Sequence, residues 1–502
     1  MASYHPLLEP YQPTPSDPFD AVKAAHLLNR AGFGGTKEEI AHIQSLGPEA
    51  AADEMLDFPD APAEDQSETD VPDLSGIDGV PTSFRELYRT LQNKSEDDKR
   101  ELRAKFNQAN NQVMMATTAW WLKRMAYGPY PMQEKLALFW HGHFTSSFRD
   151  ERAALLMWNQ NELERSNAAG NFGKFVHAIS RDPAMLDYLN NTQNKKEHPN
   201  ENYAREVMEL FTLGIGNYTE NDVKQGARAF TGWSHDGENY FFRPFEHDYG
   251  VKTFLGRVGN FNGDDVINII LQQPVCANYI SSKLYKYFVH PDVDEKLAEA
   301  MGSLLRENDY ELRPLLRTML SSRAFYSSQA IGSQIKSPVQ LMVGTVRLLG
   351  LEMPPLRAID GMLTQMGQTP FAPPNVRGWV GGRTWINTST LFVRYNAGVW
   401  LAGGSVPEFG PAGLRKKEGN AADGQRLQRM AQSFFNPEKD ESLRDASAEQ
   451  IADAWVSRLI QRPVNSTQRQ VLIQALGDDP SRPQTVRNMV QLILSTPEYQ
   501  LC

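Results

Sequence analysis

Apolar residues recur along most of the chain at the three- and four-residue spacing of helices that bury one face. Ala21, Ala24, Ala25, Leu27 and Leu28 form such a face in a helix that Asp17-Pro18 would open. Gly32-Phe-Gly-Gly35 closes it, and Thr36-Lys-Glu-Glu39 reads as a capping box for the next helix. The helical pattern returns from Ser83 to about Ala126, where Trp120-Trp121-Leu122 and Met125 suit a core, and again from Pro131 to about Gly214. Thr219-Glu-Asn-Asp222 caps a further helix carrying Val223, Ala227 and Phe230. Tyr240-Phe-Phe-Arg243 suits a short strand in a small hairpin. Helices resume at Gly263-Asp-Asp265, run through Tyr285-Lys-Tyr-Phe288, and end with an amphipathic segment from Val486 to Leu494. No fixed-period repeat is present. The expected fold class is all-α: a multi-helix globular fold with a minor β-hairpin and long ordered loops.

Breaks in this pattern suggest an organisation. Residues 1–56 form an N-terminal helical segment, and 57–82 an acidic, proline-containing loop without Lys or Arg. Residues 83–402 form the helical core, 403–424 a second loop, and 425–502 a C-terminal helical segment.

Composition narrows the function classes. The 502-residue chain has a net charge of −10, which argues against nonspecific nucleic-acid binding and against an anionic membrane surface as partner. Two cysteines, Cys276 and Cys502, make neither a disulfide framework nor a zinc site. No apolar run approaches the ~18 residues of a membrane span. The N-terminus shows no signal-peptide pattern, so the expected compartment is cytoplasmic, or periplasmic or exported if a leader has been removed. Phosphate-binding loops, Gly-x-Ser-x-Gly, His-Glu-x-x-His and dinucleotide fingerprints are all missing, so no nucleotide or organic cofactor is expected.

Four stretches could carry chemistry. Phe139-Trp-His-Gly-His-Phe144 holds two histidines, suited to proton transfer or metal binding. On a regular helix positions i and i+2 lie about 200° apart, so His141 and His143 converge only if Gly142 breaks the helix. Otherwise one is a core hydrogen-bonding group and the other exposed. In Asn200-Glu-Asn-Tyr-Ala-Arg-Glu-Val-Met-Glu209, the residues Asn202, Glu206 and Glu209 share one helical stripe, and Glu201 and Arg205 an adjacent one. This is a solvated face or, with Tyr203 and Phe211 nearby, a partly buried carboxylate pair. His235-Asp-Gly and Glu246-His-Asp-Tyr-Gly250 with Lys252 suit a functional loop or simple turn chemistry. Pro373-Pro-Asn-Val-Arg-Gly-Trp379 through Trp385 carries Arg377, Arg383 and two tryptophans, suited to stacking a sugar and pairing with carboxylate or sulfate, or to plugging the core.

Together these stretches resemble a bacterial family known as domain-of-unknown-function family 1800. The resemblance runs through His26-Leu-Leu-Asn-Arg-Ala-Gly-Phe-Gly34, Phe139–Phe144, His198-Pro-Asn-Glu-Asn-Tyr-Ala-Arg-Glu206 and Tyr218-Thr-Glu with Asp222-Val. It continues through Ala227-Arg-Ala-Phe-Thr-Gly-Trp233, His247-Asp, Lys252-Thr-Phe-Leu-Gly256 and Pro373–Trp379. The resemblance implies no established activity. It implies a protein partner that looks sulfatase- or phosphatase-like, and many similar chains look exported. It also favours one shared site, because the four polar stretches are those that define the likeness.

The resulting expectation is a hydrolase acting on a carbohydrate-like or anionic small molecule or glycan. It would work through a divalent metal (zinc, iron or manganese) or a carboxylate acid/base pair. Glu206, Glu209, His143 and Asp248 would be catalytic, and His141, His143, Glu206 and His247 would hold the metal. Asn202, Tyr203, Arg205, Trp233, Lys252, Arg377, Trp379 and Trp385 would bind substrate. The alternatives are a non-enzymatic binding or assembly partner of the sulfatase- or phosphatase-like protein, and a non-haem metal oxidoreductase.

Overall fold

The computed structural model describes residues 5–59, 80–81, 84–92, 94–403, 435–437, 443 and 445–502. The loops expected at 57–82 and 403–424 lie outside these residues except at their edges. The described chain is mainly α-helical. The first helix runs Ala21–Arg30 and starts later than Asp17-Pro18 suggested, because Asp20 caps it by accepting from the Lys23 amide. The Thr36–Glu39 capping box forms and opens the helix Lys37–Leu46, and the Thr219–Asp222 box opens Glu220–Ala229.

Two antiparallel hairpins interrupt the helices, where one was expected. Trp233–His235 pairs with Tyr240–Phe242, and Lys252–Phe254 pairs with Arg257–Gly259. Both are three-residue strands too short to build a sheet layer, and they serve as corners between helices.

Two large apolar clusters make the interior. One gathers the first helix, the central helices from Phe172 to Met319 and the edge of the Lys252 hairpin. The other gathers the long helix Glu96–Tyr127, Pro338–Leu349, Leu356–Met366 and the C-terminal helices Ala448–Leu459 and Pro483–Leu494. The helix Pro131–His143 lies between them. Met132, Leu136, Phe139 and Trp140 join the first cluster, while Ala137 and Leu138 join the second. A buried ionic group pins this helix: Glu134 takes the Trp121 indole N–H at 2.8 Å and pairs with Arg165 at 2.9 Å and with Arg124. Among the described residues no helix is long and apolar enough to cross a membrane.

Candidate functional site

The helix Pro131–His143 stays regular through Gly142, so the two histidines leave it on different sides. This corrects the expectation that Gly142 breaks the helix and lets them converge. Gly142 has a packing role instead. The loop carrying Arg377 and Trp379 lies against it, and a Cβ on Gly378 would run into the Gly142 carbonyl. Gly378 also sits at φ +68°, a conformation glycine adopts without strain.

His141 is buried and receives the Phe371 amide N–H on Nε2 at 3.0 Å. A neutral ring therefore carries its proton on Nδ1, which faces the Glu164 carboxyl at 3.8 Å. Burial pushes His141 down to about 3 and raises Glu164 well above the ordinary carboxylate range, so burial favours the neutral form of each. Neither Glu164 oxygen has a hydrogen-bond partner. Asp182, which raises Glu164 further, is itself pushed up to about 7 by burial.

His143 faces the other way. Its Nε2–H donates to the Phe211 carbonyl at 3.0 Å, and its ring stacks on Phe139. That fixes the tautomer, leaving Nδ1 as a buried acceptor without a partner. Burial, helped by the Lys283 charge, holds His143 well below its ordinary range. Phe211 belongs to a stretch the sequence did not announce: after the α-helix Asn202–Glu206 the chain widens into a π-helix, Val207–Thr212. Such widened turns often occur at functional sites.

Glu206 and Glu209 stand at this junction. Burial first, and then the Glu209 charge, raises Glu206. Glu209 accepts the Tyr218 hydroxyl at 2.6 Å and faces Arg377 Nη2 at 3.5 Å. Arg377 in turn lines a cavity of about 750 Å³. Arg30, Lys135, Lys283, Lys286, Arg377 and Arg383 are six cationic residues on its wall, against one acidic residue, Asp292. His143, Tyr287, Trp379 and Trp385 also line it. Burial lowers Lys135 to about 7 and Lys283 to about 8.

A family model described as a protein of unknown function, DUF1800, matches residues 26–501. The chain belongs to this family. The match confirms the resemblance carried by the motifs, and residues from three of those stretches, Arg30, His143 and Trp379, line one cavity. No curated protein matches the chain. No solved structure matches it either.

The remaining expected site residues hold the fold around this centre. His247 Nδ1–H donates to the Thr231 carbonyl at 2.8 Å. Asp248 pairs with Arg228 at 2.6 Å, and the Arg228 contact keeps its carboxyl below the ordinary range. Lys252 is buried and gives its ammonium to the Asp248 and Gly250 carbonyls at 2.6 and 3.0 Å. Tyr203 and Trp233 pack on Phe230 from two sides, and Arg181 covers Trp233. Arg205 pairs with Glu201 and Glu220, and Asn202 is exposed at its helix start. The expected metal ligands His141, His143, Glu206 and His247 are not brought together. Among the described residues no group of three or more His, Cys, Asp or Glu could hold a metal ion. The physical reason is the unbroken helix, which separates His141 from His143, and the closed hydrogen-bonding of His247 within its own corner.

The sequence reading missed Arg30, Lys135, Lys283, Lys286 and Tyr287. A signal existed in Lys283-Leu-Tyr-Lys-Tyr287, where lysines three apart share one helical face with aromatic neighbours.

Proposed function

We propose that this DUF1800 protein is a hydrolase acting on an anionic, carbohydrate-like ligand held in the cavity under the Arg377–Trp385 loop. One observation carries the reading: six basic residues, three of them arginines, against one acidic on the cavity wall, in a chain whose net charge is −10. Such a wall concentrates anions against the sign of the whole molecule. Trp379 and Trp385 supply flat apolar surface of the kind a sugar ring packs on. Glu206, raised above the ordinary carboxylate range by burial and by the Glu209 charge and within reach of the charge of the cavity-lining Arg377, serves as the acid. Glu209, oriented by Tyr218 and Arg377, serves as the base, and Arg377 joins the pair to the cavity. A carboxylate pair is preferred to a metal because Glu206 and Glu209 act on each other's charge, while among the described residues no metal donor set gathers.

The test is release of reducing ends from acidic oligosaccharides. Wild type should turn over, and Glu206→Gln should lose at least about 100-fold in kcat with ligand affinity retained. Binding without turnover in the wild type would overturn the hydrolase. It would favour a second reading, a binding protein, which draws on the closed hydrogen bonding of His141, His247, Asp248 and Lys252. On that reading the sulfatase- or phosphatase-like partner would supply the chemistry.

A further inference from the structure

We propose that the wall between His143 and Lys283 is a subsite for one sugar-acid unit, which offers an oxyanion and a hydroxyl together. The inference rests on the proposed site and narrows its ligand. Two groups there ask for opposite things.

Lys283 lines the cavity, and the charge that bears on it is that of Lys286, one turn along the same helix. Among the described residues no carboxylate forms an ion pair with it, so two like charges sit side by side at a partly desolvated wall. An oxyanion placed there relieves both the repulsion and the loss of water. Arg377, on the loop that carries Trp379, adds a further positive charge to the lining of the same cavity.

His143 asks for a hydrogen. The Phe211 carbonyl takes its Nε2–H at 3.0 Å, which leaves the Nδ1 lone pair buried and unpartnered. A buried acceptor without a donor costs about 1–3 kcal/mol, recovered when a hydroxyl reaches it. A simple anion such as sulfate has no hydrogen to give, and a neutral sugar has no charge for Lys283. A hydroxylated carboxylate satisfies both, and Trp379 and Tyr287 flank the space as apolar surfaces. A cavity of about 750 Å³ holds more than one such unit, so the subsite takes up part of it.

Calorimetric titration of the whole protein at low salt with sodium acetate, methyl glucoside and glucuronate tests this. Glucuronate should bind at least about tenfold more tightly than either of the others. Lys283→Met should erase its advantage over methyl glucoside. His143→Gln keeps a donor for the Phe211 carbonyl and moves the remaining acceptor away from the Nδ1 position, so it should erase most of the advantage over acetate. Melting temperature reports whether His143→Gln folds, and if it does not, Lys283→Met decides alone. The subsite is overturned if acetate or methyl glucoside matches glucuronate, if no probe binds, or if Lys283→Met leaves glucuronate affinity unchanged. Because the readout is binding, a failure of turnover with this result intact would sink the hydrolase and not the subsite.

Discussion

Glu164 shows most sharply how a single residue can be out of balance. It is buried beside His141 and Asn161 with neither oxygen in hydrogen-bonding geometry, and burial raises its carboxyl well above the ordinary range against the opposing pull of Arg165 and Asn161. The folded state therefore binds a proton that the unfolded chain releases above the ordinary carboxylate range. Stability from this group falls as pH rises out of that range, since the unfolded state then binds fewer protons. Glu164→Gln removes the titration. At pH 8 it should melt higher than wild type by the equivalent of about 1–3 kcal/mol, with the gap closing towards pH 4. A variant that melts lower at pH 8 would show that the carboxylate has a partner. The sequence marked His141 and said nothing of Glu164, because its burial comes from the packing of helices distant in the chain.

Between elements, the decisive contact is the loop at Gly378 against the helix at Gly142. A Cβ at Gly378 strikes the Gly142 carbonyl and must adopt a positive φ, whereas a Cβ at Gly142 meets the Trp379 ring at an ordinary 3.6 Å. Gly378→Ala should cost about 1–3 kcal/mol and lift the loop, weakening glucuronate binding, while Gly142→Ala should be nearly neutral. Equal melting temperatures for the two variants would remove this contact as the cause of loop placement. Helices, caps and the aromatic hairpin were legible in the sequence because each depends on neighbours within a few residues. The Thr36–Glu39 and Thr219–Asp222 boxes formed where they were read. The opposed histidines and the π-helical stretch were not legible. Gly142 is compatible with either a break or a close contact, and the choice between them is made by a loop more than 200 residues away.

Across the whole molecule, the helix Pro131–His143 contributes to both large apolar clusters, and the C-terminal helices pack in the same cluster as Trp121 and Met342. Neither cluster keeps its surface covered if the other opens. Calorimetry should show one cooperative transition, and two well-separated transitions would mean that the clusters unfold independently. The cavity belongs to this scale too. Its cations come from residues as distant in sequence as Arg30 and Arg383, so no local pattern announces them, and the net charge of −10 conceals them.

The π-helical stretch Val207–Thr212 has a genealogical consequence. Leu213 bonds back five residues to Met208, while the Phe211 carbonyl is given to His143. A wide turn of this kind differs from an ordinary helix by one residue of length. A descendant that lost a single codon here would keep both glutamates and both histidines. Its helix would close up, every residue beyond the deletion would turn by about 100° about the axis, and His143 would lose the Phe211 carbonyl that orients it. In comparing kindred chains, the spacing between Glu206 and Leu213 would separate those with the site from those that only keep its letters.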